Sequence, residues 1–204
     1  MSSRMALKVA IDLIHMPSQV RLRTAEPLPE GVETLLRIAA GDEEAENTAS
    51  LLTDRPLDIV RRASTFYIEQ VLFAANADSY RVLGATPRAS AAELRRNVGL
   101  LMRWLHPDRD PKGERSVFIG RVTTAWNDLK TPDRRAAYDA QWSVVKRRKR
   151  SRSKSSPLRS EKDGRSNHNG ATGRAHDHHR RVRSVEKIGF LRRALAVLFN
   201  RPLQ

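Results

Sequence analysis

The 204-residue chain has no cysteine, and only 5% of its residues are aromatic. Without cysteine it can form neither a disulfide bond nor a thiolate site. No apolar run approaches the roughly 18 residues that predict a membrane-spanning helix. The apolar stretch 5–14 is interrupted by Lys8 and Asp12, and no small-residue cleavage site follows, so we do not interpret it as a signal peptide. We expect a cytoplasmic protein.

The sequence also lacks the residue patterns of common enzyme sites. It has no phosphate-binding loop, no nucleophile elbow and no histidine–carboxylate set at metal-binding spacing. His176, His178 and His179 lie close together, but only Asp177 adds a further ligand type, in a polar tract. We therefore expect no enzymatic activity, no cofactor and no bound metal.

Positive charge is concentrated at one end of the chain. Residues 144–204 hold 18 of the 38 Lys and Arg residues but only 4 of the 23 Asp and Glu residues. The remainder of the chain is nearly neutral. Any binding to nucleic acid or to an anionic surface is therefore expected from the tail alone.

The tail divides into two predicted segments. Residues 143–184 are rich in Arg, Ser, Lys and Gly and poor in large apolar side chains, which predicts a disordered basic linker. The linker could associate with nucleic acid, but we favour a solubilising role because no aromatic residues are interleaved with its charges. Residues 185–201 predict a terminal amphipathic helix, which could bind a second protein partner or lie peripherally on a membrane surface; we slightly favour the protein.

The N-terminal region, residues 1–77, predicts a helical extension. Pro29 is suited to the first position of a short helix. Thr53 or Asp54 could cap a longer helix over 56–75, whose apolar residues cover a wide face. A helix this apolar must pack on something, and we expect the extension to pack on the region that follows it.

Residues 78–142 predict two longer helices joined by a loop. Ser90 and Glu93 form a capping box at the start of the first helix, and Pro107 ends it. A second helix is expected over 115–130. Each carries an apolar stripe at helical spacing, so the two should pack as an antiparallel hairpin. The stripes are Leu94, Val98, Leu101 and Leu105 in the first helix, and Phe118, Val122, Ala125 and Leu129 in the second.

This block resembles a J domain of the DnaJ family. The resemblance depends on several short motifs in the order and at close to the spacing typical of that family, rather than on one tripeptide. It predicts an all-α protein with flanking short helices around the hairpin. The motifs are Tyr80-Arg81-Val82-Leu83-Gly84, Ala89-Ser90-Ala91-Ala92-Glu93-Leu94, His106-Pro107-Asp108-Arg109 and Arg135-Ala136-Ala137-Tyr138-Asp139.

The resemblance implies a partner and a contact surface. J domains bind a DnaK-type (Hsp70 family) chaperone and stimulate its ATP hydrolysis, through the His-Pro-Asp loop and the basic face of the preceding helix. The chain itself would then catalyse no reaction, and the effect would be a coupling between two proteins. The residues implied here are His106, Pro107 and Asp108 of the loop, with Arg95, Arg96, Arg103 and Arg109 supplying positive charge.

Several positions depart from the family pattern. Val98 replaces a usual aromatic residue, Gly99 and Leu100 replace usual basic residues, and Trp104 stands where lysine is frequent. A docking face of this kind is less basic and more apolar. The alternative function is therefore an adaptor that uses a J fold, with Gly99, Leu100 and Trp104 as a different docking surface and without stimulation of an ATPase.

Other parts of full-length DnaJ proteins are missing from the sequence. No Cys-x-x-Cys repeat for zinc and no Gly/Phe-rich linker follows residue 142. The prediction is thus a protein of the J-domain-only type, with a helical extension before the domain and a basic tail after it.

Overall fold

The computed structural model describes residues 2–110 and 113–154, with side chains described for 4–110 and 113–143. Every regular element among these residues is helical, which confirms the predicted all-α class. The nine α-helices of this part of the chain are α1 (Ser2–His15), α2 (Val20–Ala25), α3 (Val32–Ala39), α4 (Glu43–Thr53), α5 (Leu57–Tyr67), α6 (Ser79–Val82), α7 (Ala91–Trp104), α8 (Ile119–Leu129) and α9 (Pro132–Lys154). Short 3-10 turns cover Pro17–Gln19 and Glu114–Phe118, and a π-helical turn covers Ile68–Leu72.

The N-terminal helices pack around α5. Helices α1, α3 and α4 each contact α5, and α1 and α4 also contact α3. Small and apolar side chains make this close packing possible, because they recur at helical spacing on one side of each helix. The buried residues of α1 and α3 are Ala6, Leu7, Ala10, Ile11, Leu13, Val32, Leu35, Leu36 and Ile38.

Three predicted details of the extension are wrong. The helix predicted to begin at Pro29 begins at Val32, after Gly31 in the left-handed region at φ 89°. Neither Thr53 nor Asp54 caps the following helix, because Thr53 is the last residue of α4 and Asp54 follows it in the left-handed region, with φ 50°. The predicted helix 56–75 is α-helical only to Tyr67 and then widens into a π-helical turn. Helix ends depend on tertiary packing as well as on local capping residues, which explains these differences.

The hairpin region largely follows its predicted pattern. Ser90 and Glu93 form the capping box, with each side chain bonded to the other residue's backbone N–H. Helices α7 and α8 contact each other, and the predicted stripes are buried apart from the partly exposed Phe118. The second helix begins as a 3-10 turn at Glu114 and becomes α-helical at Ile119.

The last helix is longer than predicted. Helix α9 runs from Pro132 to Lys154 instead of ending near residue 142. The prediction that disorder begins at residue 143 is therefore wrong for residues 143–154, because a run of Lys and Arg has good intrinsic helix propensity and continues a helix already started. The remainder of the predicted linker and the terminal helix 185–201 lie outside the described residues.

The extension and the hairpin region belong to one compact unit. Contacts group residues 1–148 together, and α3 packs directly on α7, as expected. Phe73, just after the π-helical turn, contacts Trp104 of α7 and Phe118, with ring centroids 6.0 and 4.8 Å apart. The helices of the described chain include none long and apolar enough to cross a membrane.

Candidate functional site

The His106-Pro107-Asp108 loop lies immediately after α7. Leu105 closes the helix, because its backbone N–H still donates to Leu101 O at 2.9 Å. The side chain of His106 is 37% exposed and that of Asp108 is 86% exposed. A proline here restricts the backbone just where the helix must end. The three residues are therefore held at the surface on a short, conformationally restricted turn.

Asp110 connects this loop to the 3-10 turn that follows it. Its backbone N–H donates to His106 O at 3.1 Å and to Pro107 O at 3.2 Å. Its buried carboxylate accepts a hydrogen bond from the backbone N–H of Arg115 at 2.7 Å, at the start of the 3-10 turn. This carboxylate joins the two ends of the connection between α7 and α8 and so fixes the preceding three residues.

Two contacts of the His106 ring suit different protonation states. The backbone N–H of Asp108 lies 3.3 Å from Nδ1 and donates to it when Nδ1 carries no proton. The Asp108 carboxylate also lies 3.3 Å from Nδ1 and pairs with it when that nitrogen is protonated. Both contacts come from Asp108, so this residue orients the His106 ring.

One face of α7 is open to solvent. Arg95, Gly99 and Arg103 follow each other at four-residue spacing, which places them on the same side of the helix. Both arginines are exposed, and neither makes an ion pair within the described part of the chain. A side chain added at Gly99 would meet no atom within 4 Å. We call Arg95, Gly99 and Arg103 the open face.

The other two predicted arginines contact the N-terminal extension. The guanidinium of Arg96 pairs with both carboxylate oxygens of Glu33 on α3, at 2.7 and 2.8 Å. The guanidinium of the exposed Arg109 lies next to Gly41, in the space that a side chain at that position would occupy. The structure therefore separates the predicted arginines into two on the open face and two that lie next to the extension, of which Arg96 is ion-paired with it.

Trp104 does not lie on a docking surface, contrary to the prediction for the alternative function. It is almost fully buried, with Phe73 on one side and the Arg115 guanidinium 5.0 Å from its ring centroid. Arg115 also approaches the Glu69 carboxylate to 4.0 Å, and burial raises the pKa of Glu69. An apolar residue replaces the usual lysine here because the extension covers this edge of the helix.

The start of α9 holds the turn before α7. The Arg135 guanidinium donates to Pro87 O, to Ala89 O and to the Tyr80 hydroxyl, at 2.7, 2.8 and 2.8 Å. The Tyr80 hydroxyl in turn donates to Asp139 at 2.9 Å, and the Tyr138 hydroxyl accepts the backbone N–H of Ser79 at 2.8 Å. The Arg135-to-Asp139 motif therefore positions α6 and α7 rather than meeting a ligand.

Sequence reasoning missed two residues that shape the site. Asp110 could have been found as a carboxylate placed before a helical turn, a position that favours capping. Phe73 gave no comparable signal, because its partner Trp104 is distant in sequence and periodicity does not identify pairs. Among the described residues, no group of three or more His, Asp or Glu side chains could hold a metal ion.

Comparison with known proteins agrees with this geometry. The family model for the DnaJ domain matches residues 78–139. A protein of Leifsonia xyli subsp. xyli (strain CTCB07), described as "Chaperone protein DnaJ", is 38% identical over 63 residues. That alignment covers 31% of this chain and 17% of the relative, and no solved structure matches the chain. Residues 78–139 of this chain are a J domain of the DnaJ family.

Proposed function

We propose that this protein is a co-chaperone that binds a DnaK-type (Hsp70 family) chaperone through His106, Pro107 and Asp108 and stimulates its ATP hydrolysis. The observation that carries the proposal is the exposed loop, fixed by Asp110 and joined to the open face of α7. ATP would be hydrolysed in the partner, and this chain would supply binding energy that favours the partner's active conformation.

The charges of the site support this choice of partner. Arg95 and Arg103 have no competing carboxylate among the described residues, so both guanidinium groups are available to an acidic surface. Guanidinium groups pair bidentately with carboxylates and accelerate association through steering. The exposed Asp108 carboxylate offers a single anion beside them, suited to an arginine of the partner.

A steady-state ATPase assay with a DnaK-type chaperone tests the proposal. Wild type should raise the rate, and His106→Gln should reduce the stimulation to background. His15→Gln is the matched control, because His15 is also exposed but lies on α1 of the extension; it should stimulate like wild type. Equal stimulation by wild type and His106→Gln, or none by either, would count against the proposal.

The open face allows a second, graded test. Arg95→Glu and Arg103→Glu should each raise the concentration needed for half-maximal stimulation, because they place a carboxylate where a cation is proposed to meet acidic groups. Arg62→Glu makes the same charge change at an exposed site on α5 and should have no effect. Equal responses of all three variants would show that only net charge matters.

The adaptor alternative keeps a smaller surface than expected. With Trp104 buried, only Gly99 and the half-buried Leu100 remain of its three predicted residues. Partner capture that survives His106→Gln and is lost in Leu100→Glu would favour the adaptor. The complete and exposed loop favours the co-chaperone.

A further inference from the structure

A groove on the N-terminal extension lies outside the J domain. It runs between α1 and the end of α4, has a volume of about 740 Å³, and is lined by Arg4, Met5, Lys8, Ile11, Asp12, Leu52, Thr53 and Arg55. Ile11 is buried, whereas Met5 and Leu52 are 61% and 41% exposed. The groove therefore has a buried floor at Ile11 and exposed apolar sides at Met5 and Leu52, with Leu51, 85% exposed, on the same turn of α4.

Cations dominate the rim of this groove. Arg4, Lys8 and Arg55 face a single lining carboxylate, that of Asp12. None of the three cations makes an ion pair with another described residue, whereas Arg23, Arg37 and Arg61 of the same extension all do. Apolar side chains between unpaired cations are suited to a ligand that is apolar on one side and acidic beside it.

We propose that this groove binds a short acidic amphipathic peptide segment of a partner protein. The partner's apolar side chains would pack on Met5, Ile11 and Leu52, and its carboxylates would pair with the cations of the rim. The position of the groove between two helices favours a peptide over a flat lipid surface, because a peptide can pack on residues of both helices at once. The co-chaperone proposal is not needed for this inference, since α1 and α4 pack on α3 and α5 rather than forming the loop.

Fluorescence anisotropy with the full chain tests this proposal without any chaperone. The probe is a labelled synthetic helix of about three turns, with leucines on one face and glutamates beside them. The control probe replaces every glutamate with glutamine. The acidic probe should bind about tenfold more tightly than the neutral one. Because the basic residues 144–204 also attract an acidic peptide, only the part of this preference that the groove variants remove is assigned to the groove.

Matched variants locate the binding. Lys8→Glu, Arg55→Glu and Leu52→Asp should each weaken acidic-probe binding about fivefold or more. All three positions are exposed, so the fold should survive, and an unchanged circular dichroism spectrum checks this. Arg62→Glu and Leu22→Asp make the same changes at exposed sites on α5 and α2 and should bind like wild type. His106→Gln should also bind like wild type, which separates this test from the ATPase assay.

Three results would overturn the proposal. The first is equal affinity for the acidic and neutral probes. The second is acidic-probe binding that is insensitive to Lys8→Glu, Arg55→Glu and Leu52→Asp. The third is binding only to phosphatidylglycerol-containing vesicles in co-sedimentation, with loss in the same variants and no binding of the acidic probe; that result would assign the groove to an anionic lipid surface.

Discussion

The two sides of α7 differ in what they contact. On the open face, Arg95 and Arg103 are exposed on either side of a glycine with empty space above it. On the opposite edge, Trp104 is enclosed by Phe73 and Arg115. The open face is accessible to solvent, while the covered edge of the same helix joins the J domain to the extension. The departure at Trp104 therefore has a packing explanation, whereas nothing in the structure explains the glycine at position 99.

The largest predicted effect is on the covered edge. Phe73→Ala should lower the free energy of unfolding by about 3–5 kcal/mol, because it removes a buried ring that contacts both Trp104 and Phe118. Urea denaturation measures this change. Val117→Ala, at a 64% exposed site, should change it by less than about 0.5 kcal/mol. A small effect at Phe73 would show that the extension does not stabilise the J domain.

Gly84, in the turn before α7, is covered by α3 and should not tolerate a side chain. Gly84 has φ 62°, and an added methyl would lie 3.1 Å from methyl groups of both Val32 and Leu36. Gly84→Ala should therefore destabilise the protein by about 1–3 kcal/mol. The measurement is again urea denaturation. A neutral result would mean that α3 can move away from this turn without cost.

The same substitution on the open face should have the opposite sign. Gly99→Ala should stabilise the protein by about 0.5–1 kcal/mol, because alanine is a better helix former and meets no neighbour. Gly99→Arg should lose most of this gain, because it places like charges four residues from both Arg95 and Arg103, but it should lower the concentration needed for half-maximal ATPase stimulation by adding a cation to the open face. Loss of stability in Gly99→Ala would contradict the open geometry.

The smallest effect is expected for the ion pair between Glu33 of α3 and Arg96 of α7. Glu33→Gln weakens the pair with Arg96, but these side chains are 40% and 50% exposed, so solvent screens the interaction. The unfolding free energy should fall by no more than about 0.5 kcal/mol. Half-maximal ATPase stimulation should need the same concentration as wild type. A marked gain in stimulation would instead show that Glu33 competes with the partner for Arg96.

The sequence predicted the J domain better than its surroundings. The capping box at Ser90 and the stripes of α7 and α8 are local patterns, so periodicity was enough to find them. The path of α5 into a π-helical turn, and the burial of Trp104 by Phe73, depend on contacts between distant residues that no local pattern encodes. The end of α9 was missed because a basic run was interpreted by composition, although a helix already under way can continue through it.

The sequence predicted which residues belong to the candidate site, but not which of its arginines lie on the open face and which contact the extension. The motif gave His106, Pro107 and Asp108 directly. Spacing placed the arginines off the apolar stripe, but it could not show that Arg96 and Arg109 contact the extension. That division depends on where α3 packs, which is a property of the tertiary fold.

The central claim is that the loop and the open face bind the chaperone while the covered edge supports the fold. Backbone amide spectra of the full chain, recorded with and without a DnaK-type chaperone and ATP, test it most directly. We predict that signals of Arg95, Gly99, Arg103, His106 and Asp108 shift or broaden, while those of Phe73 and Trp104 remain unchanged. Changes confined to the extension, with an unperturbed loop, would contradict the claim.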